Sequence, residues 1–285
     1  MEHSFLQSSN IANVKPAGLG HEMVKLAVSL SANKQAPSEL FLTEGIWAAE
    51  KLVRHQIVVQ GLLFCPERIS SVEEAESIRA LADYAKEVWQ ISVKCCDKIS
   101  QRQGADMCFC ICEMPQYCVA DLEKRIVAKK HSLIAILDGL EQPGNIGNIL
   151  RSLDCAGADG VIVCNKRVKS NHARIIRASL GASFTMPIVE MSDDTLIAWL
   201  RKMQIHVYVT DLTATMHYYE PSYQGRIAIV AGNEFKGISP IWHNIEHHKI
   251  IIPMFGECES LNVGFATTMT AYEVALKQRQ QHKEK

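Results

Sequence analysis

Three glycine- and amide-rich segments follow apolar stretches in the second half of the chain. They are Asp138–Arg151, Ile229–Gly237 and Ile250–Val263, and the second has a carboxylate, Glu234, at its tip. Glycine lets a backbone turn tightly or approach a ligand closely. Three such turns at the ends of apolar strands predict a ligand site built from exposed main-chain donors and acceptors.

The helix predicted after the first turn carries one arginine. Ile149 and Leu153 form its apolar stripe, and Arg151 lies about 200° from Ile149 by helical rotation, so it points away from that stripe. The turn matches neither the P-loop nor G-x-G-x-x-G, which argues against a nucleotide-dependent dehydrogenase. From the residues alone, a solvated arginine and a functional one both stay open.

A basic segment without acids follows the next predicted strand. Its cations are Lys166, Arg167, Lys169, Arg174 and Arg177. A solvated helix face and a phosphate-contacting surface for RNA explain this pattern equally well.

Composition limits the class of protein. The 285 residues include 30 Lys and Arg against 31 Asp and Glu, so a nucleic-acid partner has to be met by a local patch. Ten cysteines without a recognisable signal peptide predict reduced thiols and a cytoplasmic location. Cys108, Cys110 and Cys112 alternate as on one face of a strand, which favours packing over a metal site. No apolar run is long enough to cross a membrane.

The elements that would position these residues fall into two regions. An arm at 1–35 contains an amphipathic stretch, His21–Leu30. The sequence then predicts a small α/β domain at 36–115 and a linker at 116–130. The elements predicted in that domain are helix Glu44–Arg54, strand Ile57–Cys65, helix Ser71–Trp89 and strand Met107–Cys112.

Residues 131–285 alternate apolar strands with helical patterns, which predicts a mostly parallel sheet covered on both faces. The predicted strands are Leu133–Leu137, Val161–Cys164, Pro187–Met191, Val207–Thr210, Ile227–Ala231 and Ile250–Pro253. Ligands of such sheets gather at the carboxyl ends of the strands.

The three segments together resemble the three ordered motifs of the SpoU/TrmH family of SPOUT methyltransferases. The matching residues are Asn145–Arg151, then Gly232–Glu234 with Gly237, then Ile252–Val263. This resemblance covers roughly residues 130–280, and the region from about 41 to 115 is similar to the L30e-like RNA-binding domain of ribosomal-RNA members.

The resemblance implies a fold and a set of roles. The fold is α/β, a SPOUT-type trefoil-knotted parallel sheet preceded by a small L30e-like domain, in a homodimer. The implied cofactor is S-adenosylmethionine, with no metal, and its pocket is implied to include Gly232, Ile252, Met254 and Leu261. The implied catalytic set is Arg151, Asn145, Glu234, Ser260 and Asn262, with Arg151 central, Asn145 and Glu234 around it, and Ser260 and Asn262 beside the target ribose.

The implied reaction is methylation of a ribose 2′-hydroxyl in RNA, with 23S rRNA as the expected substrate. Transfer RNA, or a non-catalytic RNA-binding role in ribosome assembly, are the alternatives. A guanidinium is almost always protonated, so Arg151 is expected to bind the adjacent phosphate and orient the hydroxyl. Removal of the hydroxyl proton, by a perturbed Arg151 or by solvent, stays open. Phe235 and Gly264–Ala266 depart from the family's usual residues.

Overall fold

The computed structural model describes residues 11, 13–101, 104 and 106–283. Positions 1–10 and 12 of the predicted arm, positions 102, 103 and 105 of the predicted α/β domain and the last two residues of the predicted catalytic domain lie outside that description. The chain forms two compact units. Unit 1 comprises the residues up to Pro115 together with Ser170–Thr185, and unit 2 comprises Gln116–Lys169 together with the residues from Met186 onward.

Unit 1 contains a mixed sheet with helices. Its elements are β1 (Lys15–Pro16), α1 (Glu22–Ala32), β2 (Leu40–Glu44), α2 (Ala49–Arg54), β3 (Val59–Phe64), α3 (Val72–Tyr84), β4 (Val88–Gln90), α4 (Val93–Ser100) and β5 (Cys108–Glu113). The strand order is β1-β4-β3-β5-β2. Strand β5 pairs antiparallel with β2 and with β3, while β4 pairs parallel with β1 and with β3.

The three alternating cysteines of β5 pack in the core of unit 1, as the sequence predicted. Cys108, Cys110 and Cys112 belong to one apolar cluster, whereas Phe109 and Ile111 belong to the cluster on the other face of the sheet. Burial raises the pKa of each of the three thiols, that of Cys110 to about 12. In the described part of the chain, no cluster of His, Cys, Asp or Glu is suited to a metal ion.

The segment Ser170–Thr185 lies within the predicted 131–285 domain but packs in unit 1. It contains α7 (Ala173–Ser179) and α8 (Ala182–Thr185). The Phe184 ring stacks on Phe41 with centroids 4.9 Å apart. Asn171 is buried and donates to the carbonyls of Pro37 and Leu40 over 2.7 Å each. The sequence pattern alone does not reveal these distant partners.

Unit 2 is built on a parallel sheet. Its elements are α5 (Val119–Val127), β6 (Ser132–Asp138), α6 (Pro143–Ala156), β7 (Gly160–Cys164), β8 (Ile188–Glu190), α9 (Asp193–Lys202), β9 (His206–Thr210), β10 (Arg226–Ala231), β11 (His248–Ile250) and α10 (Val263–Lys283). The strand order is β11-β9-β10-β6-β7-β8. All seven residues of β6 are buried, as expected for a central strand covered on both faces.

Several local predictions need correction. The helix expected at Glu44–Arg54 begins only at Ala49, because Glu44 is the last residue of β2. The strand expected at Ile250–Pro253 is His248–Ile250. The helix expected at Ser71–Trp89 ends at Tyr84, because Val88 and Trp89 pair with β3 as strand β4. The expected linker 116–130 contains α5, whose Leu122 and Ile126 are buried in the core of unit 2. Among the described helices, none has the length and apolarity needed to span a membrane.

Candidate active site at the carboxyl edge of the parallel sheet

The three glycine- and amide-rich segments all lie at the carboxyl edge of the unit 2 sheet. They follow β6, β10 and β11, and β6 and β10 are direct neighbours in the sheet. A cavity of about 480 Å³ opens there, bounded by the segments after β9, β10 and β11. The sheet therefore brings together turns that are more than a hundred residues apart in sequence.

Glu234 joins two of these segments. Its Oε2 accepts from the Glu141 N–H over 3.1 Å, and its Oε1 accepts from the Gln142 N–H over 3.1 Å and from Asn145 Nδ2 over 3.0 Å. Gln142 precedes α6 and does not cap the helix with its own side chain. The Glu234 carboxylate thus lies at the positive end of α6, where a negative charge is favourable. Partial burial opposes ionisation, but these hydrogen bonds outweigh it and lower the pKa of Glu234.

A chain of hydrogen bonds continues from Glu234 into the third segment. Asn145 Oδ1 accepts from Asn262 Nδ2 over 3.1 Å, and Asn262 Oδ1 accepts from the Gly264 N–H over 2.8 Å. Because an ionised carboxylate only accepts hydrogen bonds, Asn145 must present its nitrogen to Glu234 and its oxygen to Asn262. The orientation of both side-chain amides is therefore determined by the network.

Gly232 leaves no space for a side chain. A Cβ at this position would lie 2.7 Å from the Gly237 carbonyl carbon and 2.8 Å from the Ile238 nitrogen. Asn233 and Gly237 close the turn through two backbone hydrogen bonds of 2.8 and 2.9 Å, and Asn233 Nδ2 donates to the Gly139 carbonyl over 2.8 Å. The backbone of this turn is thus packed too closely for any side chain at position 232.

Four residues expected to bind the cofactor line the 480 Å³ cavity, and so do three of the expected catalytic residues. These are Gly232, Ile252, Met254 and Leu261, and then Glu234, Ser260 and Asn262. Ile252 is buried, whereas Ser260, Leu261 and Asn262 are exposed at the cavity mouth. Asn145 does not line the cavity, but it is hydrogen-bonded to two residues that do, Glu234 and Asn262.

Arg151 lies on α6, beyond Asn145. Its side chain is exposed, as helical rotation predicted, and within the described residues it forms no ion pair or side-chain hydrogen bond. Among the described residues, the guanidinium therefore has no partner that would compete with an external anion.

Asp138, at the end of β6, has a role that the sequence did not indicate. It is buried, and its Oδ1 accepts from Asn165 Nδ2 over 2.8 Å. Its Oδ2 accepts from the Ser239 N–H over 2.7 Å and from Trp242 Nε1 over 2.8 Å. Burial opposes ionisation, yet these bonds lower the pKa of Asp138. The carboxylate thus ties the end of β6 to the segment after the Gly232 turn.

Asp211, which lines the cavity, is another residue whose role the sequence did not indicate. Its carboxylate accepts from Lys249 Nζ over 2.8 Å and from the N–H and hydroxyl of Thr213 over 2.7 Å each. The bond from Lys249 is the main cause that lowers the pKa of Asp211 to about 2. The position of Asp211 after β9 could be read from the sequence, but the sequence did not show that its cation, Lys249, lies on β11.

The five predicted RNA-binding cations differ in their surroundings. Lys166 pairs with Glu190 over 2.8 Å in unit 2, and Arg177 pairs with Glu44 over 2.9 Å in unit 1. Arg167 of unit 2 and Arg174 of unit 1 are exposed and without an ion pair in the described residues. Lys169 is exposed in unit 2. The acidic partners of Lys166 and Arg177 lie outside the basic segment, so the sequence of that segment did not predict these two ion pairs.

Comparison with known proteins places these features in a family. The model of the SpoU rRNA Methylase family matches residues 132–272. A putative TrmH family tRNA/rRNA methyltransferase of Staphylococcus haemolyticus is 32% identical over 171 residues, which cover 58% of this chain and 68% of the relative. The 23S rRNA (uridine(2479)-2′-O)-methyltransferase of Streptomyces viridochromogenes is 27% identical over 253 residues, covering 87% and 86% of the two chains.

The fold agrees with this relationship. The crystal structure of the SpoU methyltransferase AviRb from Streptomyces viridochromogenes, in complex with the cofactor AdoMet, superimposes with a TM-score of 0.78. It covers 91% of this chain and 100% of its own, at 24% identity. The chain belongs to the SpoU/TrmH family of RNA methyltransferases.

Proposed function

We propose that this protein transfers a methyl group from S-adenosylmethionine to a ribose 2′-hydroxyl of RNA, with 23S rRNA as the substrate. The observation that carries the proposal is the network Glu234–Asn145–Asn262 at the mouth of the 480 Å³ cavity. The network contains one residue from each of the three motifs, because Asn145 belongs to the first, Glu234 to the second and Asn262 to the third. The Streptomyces relative is named for this reaction on 23S rRNA.

The cavity fits the donor in size and in character. Its volume of about 480 Å³ is within the range typical of small-molecule sites. Gly232 brings bare backbone to the wall, and Ile252, Met254 and Leu261 supply apolar surface, which suits an adenine ring held through main-chain groups. When bound, S-adenosylmethionine supplies an electrophilic methyl group.

The chain's own residues have to position the nucleophile. A ribose hydroxyl is barely ionised near neutral pH and needs help with its proton or its developing charge. Arg151 is exposed and has no ion pair with any described residue, so its guanidinium is available to hold the phosphate beside the target ribose. Ser260 and Asn262 lie at the cavity mouth, and Asn262 is oriented by Asn145. We assign Arg151 to phosphate binding and hydroxyl orientation, and Asn145 and Glu234 to positioning.

Two phenylalanines at the cavity support an RNA substrate with unpaired bases. Phe235 lines the cavity and is 80% exposed, and Phe255, next to Met254, is 96% exposed. Lys236 follows Phe235 and is also exposed. Exposed aromatic rings beside a cation suit stacking on splayed-out bases. Ribosomal RNA would place the enzyme in the cytoplasm, which agrees with the ten free cysteines.

A homodimer is supported by one face of α10. Phe265, Met269, Tyr272 and Leu276 recur at spacings of four, three and four, and each is at least 38% exposed. Such an apolar stripe on a helix is typical of a protein–protein contact. We assign it to a second copy of the chain, as the family resemblance implies.

The reaction is tested by incubating the protein with radiolabelled S-adenosylmethionine and separate pools of unmodified 23S, 16S and transfer RNA. We expect label in 23S rRNA as a 2′-O-methyl block to alkaline cleavage, and loss of that label in Arg151→Ala. Arg151→Lys keeps the charge but loses the planar fork, so we expect it to remain impaired.

Control measurements separate a catalytic loss from a folding defect. Because the Arg151 side chain has no partner in the described residues, neither substitution should change the free energy of unfolding by more than about 0.5 kcal/mol. Label in transfer RNA alone would contradict the assigned substrate, and donor binding without transfer to any pool would favour the non-catalytic role in ribosome assembly.

A further inference from the structure

Unit 2 has a second cavity at the opposite edge of its sheet. The cavity measures about 820 Å³, and its wall includes His206, Arg226 and His248, which are the first residues of β9, β10 and β11. Parallel strands begin at one edge of a sheet and end at the other. This cavity therefore lies across the sheet from the candidate active site and shares none of its residues.

Two arginines of this wall are held by main-chain carbonyls. Arg201 Nη2 donates to the Asn244 carbonyl over 2.9 Å, and Arg226 Nη1 donates to the Met203 carbonyl over 2.8 Å. In the part of the chain that the structure describes, neither guanidinium has an ion pair. A guanidinium carries five N–H donors, so each arginine keeps donors for an external acceptor while its position is fixed.

The charge of this wall is predominantly positive. Arg201, Arg226 and Lys130 are cations at neutral pH, and Glu246 is the one carboxylate among the residues of the wall. Glu246 is exposed and forms no ion pair in the described residues, so it does not neutralise the arginines directly. The whole chain has a formal net charge of −1 at pH 7. The excess of positive side chains is therefore local to this cavity and is not shared by the chain as a whole.

We infer that this cavity binds phosphate groups. The planar fork of a guanidinium matches phosphate oxygens in a bidentate arrangement, and arginine is favoured where such recognition is needed. Two anchored arginines that face one concave site lose little conformational freedom on binding. The phosphates could belong to an RNA backbone or to a free phosphorylated molecule, and the experiment separates these two sources.

The test uses the full chain and inorganic pyrophosphate, with the dissociation constant measured by calorimetry at low salt. Removing one charge-assisted hydrogen bond should weaken binding roughly tenfold, so we expect this loss in Arg201→Gln and again in Arg226→Gln. Lys202→Gln is the matched control, because Lys202 follows Arg201 on α9 and pairs with Glu123 instead of facing the cavity. Its affinity should equal that of the wild type.

Glu246→Gln is a second test variant, for which a gain in affinity is expected, so that the inference does not rest only on variants that lose binding. Removing the one carboxylate of the wall should tighten pyrophosphate binding severalfold, which a poorly folded variant would not do. The inference is overturned if the wild type shows no binding up to about 10 mM. It is also overturned if the arginine variants bind like the wild type, or if they bind worse while Glu246→Gln gains nothing.

The source of the phosphates is decided by a second arm with 23S rRNA fragments. If RNA is the source, the double arginine variant binds RNA more weakly, its salt dependence is reduced by about two phosphate contacts, and RNA displaces pyrophosphate. If a free phosphorylated molecule is the source, RNA binding is unchanged and no displacement occurs. Pyrophosphate binding needs no methyl transfer, so the outcome does not depend on the proposed reaction.

Discussion

Glu234 and Asn145 are 89 residues apart in sequence, and the carboxylate of the first accepts from the side-chain nitrogen of the second over 3.0 Å. This single contact fixes which way the Asn145 amide points, and Asn145 in turn fixes Asn262. The Gly232 turn, the start of α6 and the start of α10 are thereby coupled through side chains that all have one allowed orientation.

Replacing Glu234 by Gln tests this coupling. Gln offers one acceptor oxygen to three donors and turns its own NH2 towards one of them. We expect the free energy of unfolding to fall by about 1–3 kcal/mol and methyl transfer to fall at least about tenfold, because Asn145 and Asn262 lose their fixed orientation. Urea titration and a transfer assay measure the two effects.

Glu141→Gln is the matched control for that variant. It makes the same change of charge beside the network, to which Glu141 contributes its backbone N–H. Its exposed side chain is without a partner in the described residues. If Glu141→Gln impairs transfer as much as Glu234→Gln does, net charge and not orientation is the cause.

Gly232→Ala tests the need for bare backbone in the cavity wall. The added Cβ would meet backbone atoms at 2.7–2.8 Å, which cannot move without opening the turn between Asn233 and Gly237. We expect S-adenosylmethionine to bind at least about tenfold more weakly, with a loss of about 1–3 kcal/mol in stability. Calorimetry with the donor gives the affinity.

Gly256→Ala provides the comparison, because a Cβ at Gly256 would have no atom within 4 Å. It lies in the segment after β11 that leads to the cavity residue Ser260. We expect donor affinity within about twofold of the wild type. Equal losses in the two variants would show that glycine is needed in both turns for flexibility and not for space.

Some of these features follow from sequence and others do not. The strand ends, the glycine turns and the outward direction of Arg151 follow from local periodicity, because each depends on residues a few positions apart. Asp138 and Asp211 find their partners on other elements, and so do Lys166 and Arg177. Periodicity carries no information on such pairs. The trefoil knot and the L30e likeness stay predictions of the family resemblance.

The lowered pKa of Asp211 predicts a pH dependence of stability. Its carboxyl has a pKa of about 2 in the folded chain, below the ordinary value of 3.8. The folded state therefore binds this proton more weakly than the unfolded state. The stabilisation is fully present above about pH 5 and is lost as the pH falls through about 2. We expect the difference in unfolding free energy between wild type and Asp211→Asn to shrink between about pH 5 and pH 2.

Asp154→Asn is the control for loss of a carboxylate at an exposed position, since Asp154 lies on α6 with no ion pair or side-chain hydrogen bond in the described residues. Urea titrations at several pH values supply the free energies. A difference for Asp211→Asn that stays constant down to pH 2 would mean that the Lys249 pair does not stabilise the folded state.

The stripe on α10 predicts the oligomeric state. Met269 and Leu276 lie two turns apart on the same exposed face, so Met269→Glu with Leu276→Glu would bring two carboxylates into any contact made by this face and leave them without a partner. We expect sedimentation to report a dimer for the wild type and a monomer for the double variant. Val53→Glu, an exposed apolar position of unit 1, is the control and should remain dimeric. A wild-type monomer would contradict the assignment. A double variant that stays dimeric would show that the dimer contact is made by another face.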